Sequence, residues 1–412
     1  MAGRATISGA RLAAGALAVV AALVVLNIVW TPDDGTTDPP QEPDPPQEPD
    51  DAAEPDETDP TTSLPPSSEP GTGPTPGASP FAAIEGFEDR WLVITDSGAG
   101  EILQAPLGGG VVSEVQVDFH RAQVGFPAVL VRGVLVSPMG GLSLHDGRWW
   151  SLSNLGDAGS GRGRVVGSTS RGSALIAAGD RLVEWWTDDM RRQEGVQSPV
   201  VARGQGEVAG VAGRQVVHDG PSGIFRFDLD DRSVVGLGPG EVRAVGAGVA
   251  LVRVCDEQLR CERRVIDLAD GATRSVVDPT IGGAEVVGPA EPLWGHRFSP
   301  DGQRLALVLR DGVAVIDVDT GEVLGVVETP IPERFVRGPA TVLWAPDASA
   351  GLVMLPTAPS DADEPDRIVV AWFDRDAGEV RRLDDLSAAL GAPGSGPHQF
   401  LLSDTGFGPE GR

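Results

Sequence analysis

A short reversal signal recurs along this chain, and its spacing constrains the fold more than any other feature. The clearest copy is Asp317-Val318-Asp319-Thr320-Gly321-Glu322, which follows the apolar run Val313 to Ile316. β-Branched residues favour a pleated strand, whereas Asp, Thr and Gly supply the local hydrogen bonds and permissive φ of a tight turn. Counting this copy, seven such signals lie around Asp96, Asp146, Asp188, Asp228, Asp267, Asp317 and Asp374. We expect each to reverse the chain between the last two strands of a repeat unit.

A period of roughly 40 to 50 residues of short strands and turns is typical of a β-propeller, in which each unit is one four-stranded blade. Full units are expected at about 111–153, 163–203, 206–238, 241–277, 293–328 and 340–384. The sequence therefore predicts an all-β propeller of about seven blades. Because the copies near Asp146 and Asp188 are the loosest, six blades is the alternative count.

The two ends of the repeat region are predicted to share one blade. Only the last two strands of a blade precede the unit that begins near residue 111, and Gln399-Phe400-Leu401-Leu402 has strand character near the C-terminus. Closing the ring with strands from both ends would remove an exposed sheet edge. We expect this tail to complete the first blade, and a frayed tail is the alternative.

A second recurring turn opens a blade's second strand, in Ser299-Pro300-Asp301-Gly302 and again in Ala345-Pro346-Asp347. Pro presets φ for the turn and Asp-Gly completes it. With this turn the chain resembles the TolB-type, YVTN-type and WD-repeat propellers of bacterial envelopes, specifically over about 90 residues from Leu293 to Leu383. The resemblance implies a scaffold and carries no functional residue, since these families differ in what they bind.

The N-terminal segment is predicted to anchor the chain in a membrane. Residues 12–30 form an uncharged stretch of nineteen residues, close to the roughly 20 that cross a bilayer core. Arg4 and Arg11 precede it, so the positive-inside rule places residues 1–11 in the cytoplasm and the rest of the chain outside. A cleaved signal peptide is the alternative, although its small-x-small site, Ala16-Leu17-Ala18, would lie inside the apolar stretch.

Residues 31–80 are predicted to form a disordered spacer that holds the propeller domain, residues 81–412, away from the membrane. The spacer contains 15 Pro, 13 Asp or Glu and no Arg, so it cannot bury a core. The propeller domain carries 47 acids and 30 Arg, a net charge of −17. Acidity in both parts argues against nucleic acid or an anionic membrane surface as a partner. It permits cationic ligands, and solubility alone also explains it.

Cys255 and Cys261 are the chain's two cysteines, spaced to join the ends of a loop between the second and third strands of a blade. Outside the membrane a disulfide is their expected state, with two free thiols as the alternative. Because the closed loop is short, we expect it to stabilise the fold by less than the typical ~2–4 kcal/mol.

No catalytic, metal or cofactor motif stands out, and no cofactor is predicted. The five histidines show no ligand spacing, and the chain has no Gly-x-Ser-x-Gly elbow. We expect one residue of each pair Trp149-Trp150 and Trp185-Trp186 to pack between blades, with carbohydrate stacking as the alternative. Carboxylates paired in space are invisible in a sequence, so a glycosidase or lyase is the alternative to a non-enzyme.

Propellers commonly engage partners through one ring face, formed by the loops between blades and between second and third strands. On this chain that face is predicted to carry His218, Asp256, Glu257, Arg334, Arg337, Asp361 and Asp363. Their mixed charge suggests a polar ligand. We therefore predict an extracytoplasmic propeller, anchored in the cell membrane by one span, that binds or scaffolds an envelope protein or a cell-wall polymer.

Overall fold

The computed structural model consists of seven antiparallel sheets, each of four strands, so the prediction of an all-β protein with seven blades is confirmed. The described residues are 80–96, 101–115, 117, 128–151, 163–178, 181–189, 193–203, 205–277, 297–309, 312–328, 340–357, 367–391 and 398–407. The predicted segments 1–11, 12–30 and 31–80 lie outside them, apart from Pro80. Within the described part of the chain, no helix is long and apolar enough to cross a membrane.

The strands follow the chain blade by blade. The first fifteen are β1 (Trp91–Asp96), β2 (Ile102–Pro106), β3 (Ser113–Glu114); β4 (Val129–Val131), β5 (Val134–Ser137), β6 (Gly140–Ser143), β7 (Trp149–Ser151); β8 (Arg164–Ser168), β9 (Ser173–Ala178), β10 (Arg181–Trp186), β11 (Gln193–Val196); β12 (Glu207–Ala212), β13 (Gln215–Gly220), β14 (Gly223–Asp228) and β15 (Val234–Gly238). The others are β16 (Glu241–Gly246), β17 (Val249–Cys255), β18 (Cys261–Asp267), β19 (Thr273–Val277); β20 (Arg297–Phe298), β21 (Arg304–Leu309), β22 (Gly312–Asp317), β23 (Val323–Glu328); β24 (Thr341–Trp344), β25 (Ala350–Thr357), β26 (Arg367–Asp374), β27 (Val380–Arg382); and β28 (His398–Ser403). Two short helices of the described chain, α1 (Pro199–Ala202) and α2 (Asp384–Leu390), follow the third and seventh blades.

The sheets form a closed ring. In each blade the strands are named A to D from the innermost outward, and the innermost strands are β28, β4, β8, β12, β16, β20 and β24. Successive innermost strands contact each other from β24 through β28 and β4 to β20. A hydrogen bond of 3.2 Å from Trp344 Nε1 to the Arg297 carbonyl joins β24 to β20. The innermost strands therefore surround a central channel.

Blade 1 is completed by the C-terminal strand, as predicted. The sheet order is β28-β1-β2-β3, and β28 runs antiparallel to β1 with Trp91 opposite Ser403 and Asp96 opposite His398. The expectation for the first reversal is wrong, however. Asp96 ends β1, which is strand B, so this turn connects strands B and C, and three strands precede blade 2. The C–D turn of blade 1 spans 107–112 and contains no Asp.

The other six reversals lie between strands C and D, as predicted. In the Asp317 turn, Oδ1 of Asp317 accepts hydrogen bonds from the Asp319 and Thr320 amides at 3.0 and 2.9 Å. Gly321 then takes a φ of 77°, a left-handed conformation that glycine adopts without strain. The carboxylate builds the turn, so it is not free to bind a ligand.

Other acids of these turns pair with arginines of the preceding blade. The pairs are Arg132–Asp188 at 3.7 Å, Arg171–Asp230 at 2.9 Å, Arg274–Asp319 at 3.5 Å and Arg304–Asp376 at 2.8 Å. Each acid is well exposed, so each pair contributes only ~0–1 kcal/mol. Together the four pairs connect neighbouring blades at the end of the ring where the C–D turns lie.

Buried apolar side chains pack between successive blades. Strands are buried on both faces: in β21, Leu305 and Leu307 face blade 5, whereas Ala306 and Val308 face blade 7. The same arrangement holds at each of the seven blade interfaces. Burial on both faces explains why the strands read as continuous apolar runs, without the alternation of a half-exposed sheet.

The tryptophan pairs belong to these interfaces. Trp185 is fully buried between blades 2 and 3, which confirms that one residue of its pair packs there. Trp149 packs toward blade 1 and Trp150 toward blade 3, because consecutive strand residues point to opposite sides. Trp149, Trp150 and Trp185 thus have a packing role.

Candidate binding face

The ring has two faces with different chemistry. A–B and C–D turns lie at one end of the blades, which we call the aspartate face because of its turn acids. B–C turns and the connections between blades lie at the other end, because antiparallel strands alternate in direction. We call this second end the disulfide face, since the B–C turn between β17 and β18 contains Cys255 and Cys261.

The predicted disulfide is present. Cys255 and Cys261 are bonded to each other and face each other in the β17–β18 register, with Cα atoms 4.0 Å apart. Their loop lies between strands B and C of blade 5, as expected. The loop is therefore closed both by a covalent bond and by the sheet beneath it.

Asp256 organises the interior of this loop. Its Oδ1 accepts hydrogen bonds from the amides of Gln258 and Arg260, each at 2.9 Å, and its Oδ2 lies 2.7 Å from Nη2 of Arg260. The bond from the Arg260 amide is the main reason that the pKa of Asp256 lies below its usual value. The predicted site residue Asp256 is thus exposed but already used by the loop.

Leu259 stands at the tip of the loop and was not predicted from the sequence. Its side chain is 84% exposed, and its backbone takes a φ of 61°. A left-handed conformation is unfavourable for Leu, and a large apolar side chain in water is unfavourable too. The disulfide and the Asp256 hydrogen bonds hold the left-handed backbone and the exposed side chain of Leu259 in place. The loop is therefore a preorganised apolar contact point, and it also carries the exposed Glu257.

His218 does not lie on the exposed surface of the disulfide face, contrary to prediction. It occupies β13, is fully buried, and its Nε2 lies 3.1 Å from Oγ of the buried Ser198. Burial lowers the pKa of His218 to about 4. Its Nδ1 is buried and has no hydrogen-bond partner among the residues that the structure describes. The residue belongs to the interior of blade 4.

The remaining predicted residues are Arg334, Arg337, Asp361 and Asp363. They lie outside the described residues, within 329–339 and 358–366, so their place on the disulfide face stays a prediction. Among the residues that the structure describes, no group of three or more His, Cys, Asp or Glu side chains could hold a metal ion.

The central channel contains a cavity of about 320 Å³ lined by the seven innermost strands. Most of its described lining residues have apolar side chains or none, with Phe400 and Leu343 among the larger. Arg297 is the one ionisable residue of that lining, and desolvation lowers its pKa. No Asp or Glu occurs among the described lining residues. A carboxylate pair, which acid–base hydrolysis of a glycan would need, is thus missing from this part of the channel.

Blade 5 also carries three clustered arginines that sequence analysis missed: Arg243, Arg253 and Arg263, which we call the arginine cluster. Arg253 and Arg263 face each other in the β17–β18 register. Arg253 lies two residues before Cys255, and Arg263 lies two residues after Cys261. A hairpin closed by the predicted disulfide would therefore have predicted that these two arginines face each other.

No family model and no curated protein matches the sequence. Three of the solved structures that are similar to the chain are the following. A putative TolB from Agrobacterium tumefaciens is 11% identical, with 76% of this chain and 97% of that one covered and a TM-score of 0.36. BamB from Moraxella catarrhalis is 16% identical, with 62% and 86% covered and a TM-score of 0.32. The dihydro-heme d1 dehydrogenase NirN is 15% identical, with 74% of each chain covered and a TM-score of 0.44. The resemblance to TolB-type propellers is therefore one of scaffold, and it transfers no activity.

Proposed function

We propose that this chain is a membrane-anchored, extracytoplasmic propeller that binds or scaffolds an envelope protein or a cell-wall polymer through its disulfide face. The observation that carries the proposal is the loop 255–261, which displays Leu259 in a fixed, strained conformation. An exposed apolar side chain on a rigid loop can bind a partner with little loss of conformational entropy.

The proposed location rests on two separate features. The uncharged stretch 12–30 follows Arg4 and Arg11, the charge pattern of a span with a cytoplasmic N-terminus. The disulfide is the state that cysteines adopt in an oxidising, extracytoplasmic compartment. Both features support an anchored protein whose propeller lies outside the membrane.

The alternative of a glycosidase or lyase is less well supported. It requires paired carboxylates at a site open to substrate, and the described lining of the central channel provides none. Turnover of a glycan or lactone by the purified chain would favour this alternative over a binding role.

Cross-linked pull-down of the full chain from its own cell envelope tests the proposal. We expect a partner to be captured and then lost when Asp256, Arg334 and Arg337 are all changed to Ala together with Leu259→Ser. Arg148→Ala is the control, because that exposed side chain lies in a C–D turn of the aspartate face. Sedimentation with isolated cell wall separates a polymer partner from a protein partner. Equal capture by the combined variant and the wild type would overturn the assignment of the face.

A further inference from the structure

The arginine cluster brings three cations together on adjacent strands of blade 5. Arg243 lies in strand A, Arg253 in strand B and Arg263 in strand C. In the register, Glu241 faces Arg253, which in turn faces Arg263. Like charges directly opposite each other on neighbouring strands destabilise a sheet. The arrangement is thus unfavourable for folding unless negative charge offsets it.

Glu241 is the acid that pairs with these cations, and Asp219 of blade 4 also interacts electrostatically with Arg243. Its Oε2 lies 2.7 Å from Nη2 of Arg243 and 3.9 Å from Nη1 of Arg253. Arg253 also donates a hydrogen bond of 3.3 Å to Sγ of Cys261. Neither contact involves Arg263. Among the described residues three arginines thus face two acids, which leaves an excess of positive charge on a propeller domain whose net charge is −17.

Arg263 is the least satisfied member of the cluster. Its Nη1 is buried and has no hydrogen-bond partner among the described residues. Desolvation, and then the charges of Arg243 and Arg253, lower the pKa of Arg263. A guanidinium N–H left unpaired away from water is costly, and such groups in native proteins commonly mark a ligand or ordered water.

The cluster lies at the disulfide end of the cleft between blades 5 and 6. Arg253 and Arg263 point to the same side of the sheet as Leu251 and Val265, because residues two apart share a face. Leu251 and Val265 pack against Leu307 of blade 6. The guanidinium groups therefore continue this buried stripe toward the face that carries Leu259.

We propose that the arginine cluster binds an oxyanion, a phosphate or carboxylate group of the partner that contacts the disulfide face. The planar guanidinium fork matches both oxyanions, and an anion here would offset the repulsion among the three arginines. The identity of the carrier rests on the proposed function, whereas binding of the oxyanion itself does not. Leu259 and the cluster would then contact one ligand through an apolar and a charged group.

Calorimetric titration of the full-length chain with inorganic phosphate, and separately with acetate, tests the site at constant ionic strength. We expect binding by the wild type and a loss of at least about tenfold in affinity in Arg263→Gln, since a hydrogen bond to a charged group is removed. Arg253→Gln, at an exposed position, should weaken binding similarly without risk to the fold. The two titrations show which oxyanion is preferred.

Arg264→Gln is the matched control, because Arg264 lies on the same strand but pairs with Glu262. It should bind phosphate as the wild type does. Thermal unfolding without added oxyanion gives a second readout: Arg263→Gln should unfold at or above the wild-type temperature, since repulsion is relieved. Lower stability in that variant, or wild-type affinity for both oxyanions in Arg263→Gln and Arg253→Gln, would overturn the proposal.

The two proposals can fail separately. Oxyanion binding that depends on Arg263, with no envelope partner captured, would sustain the site and contradict the proposed function. Capture of a partner by wild type and Arg263→Gln alike, with no oxyanion bound, would sustain the proposed function and contradict the site.

Discussion

His218 is held in its neutral form because its ring lies inside blade 4, away from water. The nearby Ser198 hydroxyl can share a hydrogen bond with Nε2, but it offers no charge to stabilise an imidazolium. Burial therefore lowers the pKa of His218 to about 4 from the ordinary value of 6.5. Between about pH 4 and pH 6.5, His218 therefore binds a proton in the unfolded chain but not in the folded chain.

His218 should make the fold less stable in acid. Its contribution is fully present above about pH 6.5 and is lost as pH falls toward about 4, which amounts to ~2–3 kcal/mol between pH 7 and pH 4.5. In His218→Gln, the amide can replace Nε2 as a partner of Ser198 but does not titrate. Urea unfolding at both pH values should show a smaller loss in this variant than in the wild type. His145→Gln, at an exposed position, is the control, and an identical pH dependence in all three chains would count against this role.

At the level of single residues, the sequence predicted one part of the candidate site correctly and missed others. The sequence correctly predicted the disulfide between Cys255 and Cys261, because their spacing fits a closed hairpin. It did not reveal that His218 is buried, since a strand residue near a turn can point inward or outward. The arginine cluster was missed because its members lie on three strands and meet only through the register of blade 5.

Among the secondary-structure elements, β28 matters most for the ring. It supplies the innermost strand of blade 1 and contacts the innermost strands on both sides. Beyond it, Phe407 is buried between blades 1 and 2, and its amide donates a hydrogen bond of 2.7 Å to Oε1 of Gln104. The C-terminal segment thus ties the first blade to the ring through both backbone and side chains.

Deleting residues 392–412 should destroy cooperative folding. The truncation removes β28 and Phe407, exposes the edge of β1 and opens two blade interfaces. That loss is comparable to the whole stability of a typical domain, ~5–15 kcal/mol. We expect no cooperative thermal transition by circular dichroism and an aggregated species by gel filtration. A chain that ends at Phe407 is the control and should unfold as the full chain does; a cooperative, monomeric truncation product would contradict ring closure by β28.

The repeat units were predictable because the C–D turn contains an aspartate in six of the seven blades. Six of the seven reversals do connect strands C and D, since an Asp side chain accepts a backbone hydrogen bond in each of these six turns. The Asp96 copy was assigned wrongly because a B–C turn can use the same residues. Sequence alone could not show that the described chain enters blade 1 at strand B, which depends on where β28 returns.

On the scale of the whole molecule, the two faces differ in their chemistry. Acids of the aspartate face form turns and pair with neighbouring blades, as Asp317 and Asp376 do. The disulfide face instead presents a rigid apolar tip at Leu259 and an excess of positive charge at the arginine cluster. Among the described residues, the most exposed large apolar side chain and a buried, unpaired guanidinium N–H thus lie at the disulfide face, and we infer that partners bind there.

Site-specific photocross-linking in intact cells tests this central claim most directly. A photoreactive amino acid placed at Leu259 reports on the disulfide face, and one placed at Arg148 reports on the aspartate face, since both side chains are well exposed. We predict a discrete cross-linked envelope component at Leu259 and none at Arg148. A cross-link only at Arg148, or none at either position in chains that are folded and correctly located, would contradict the account.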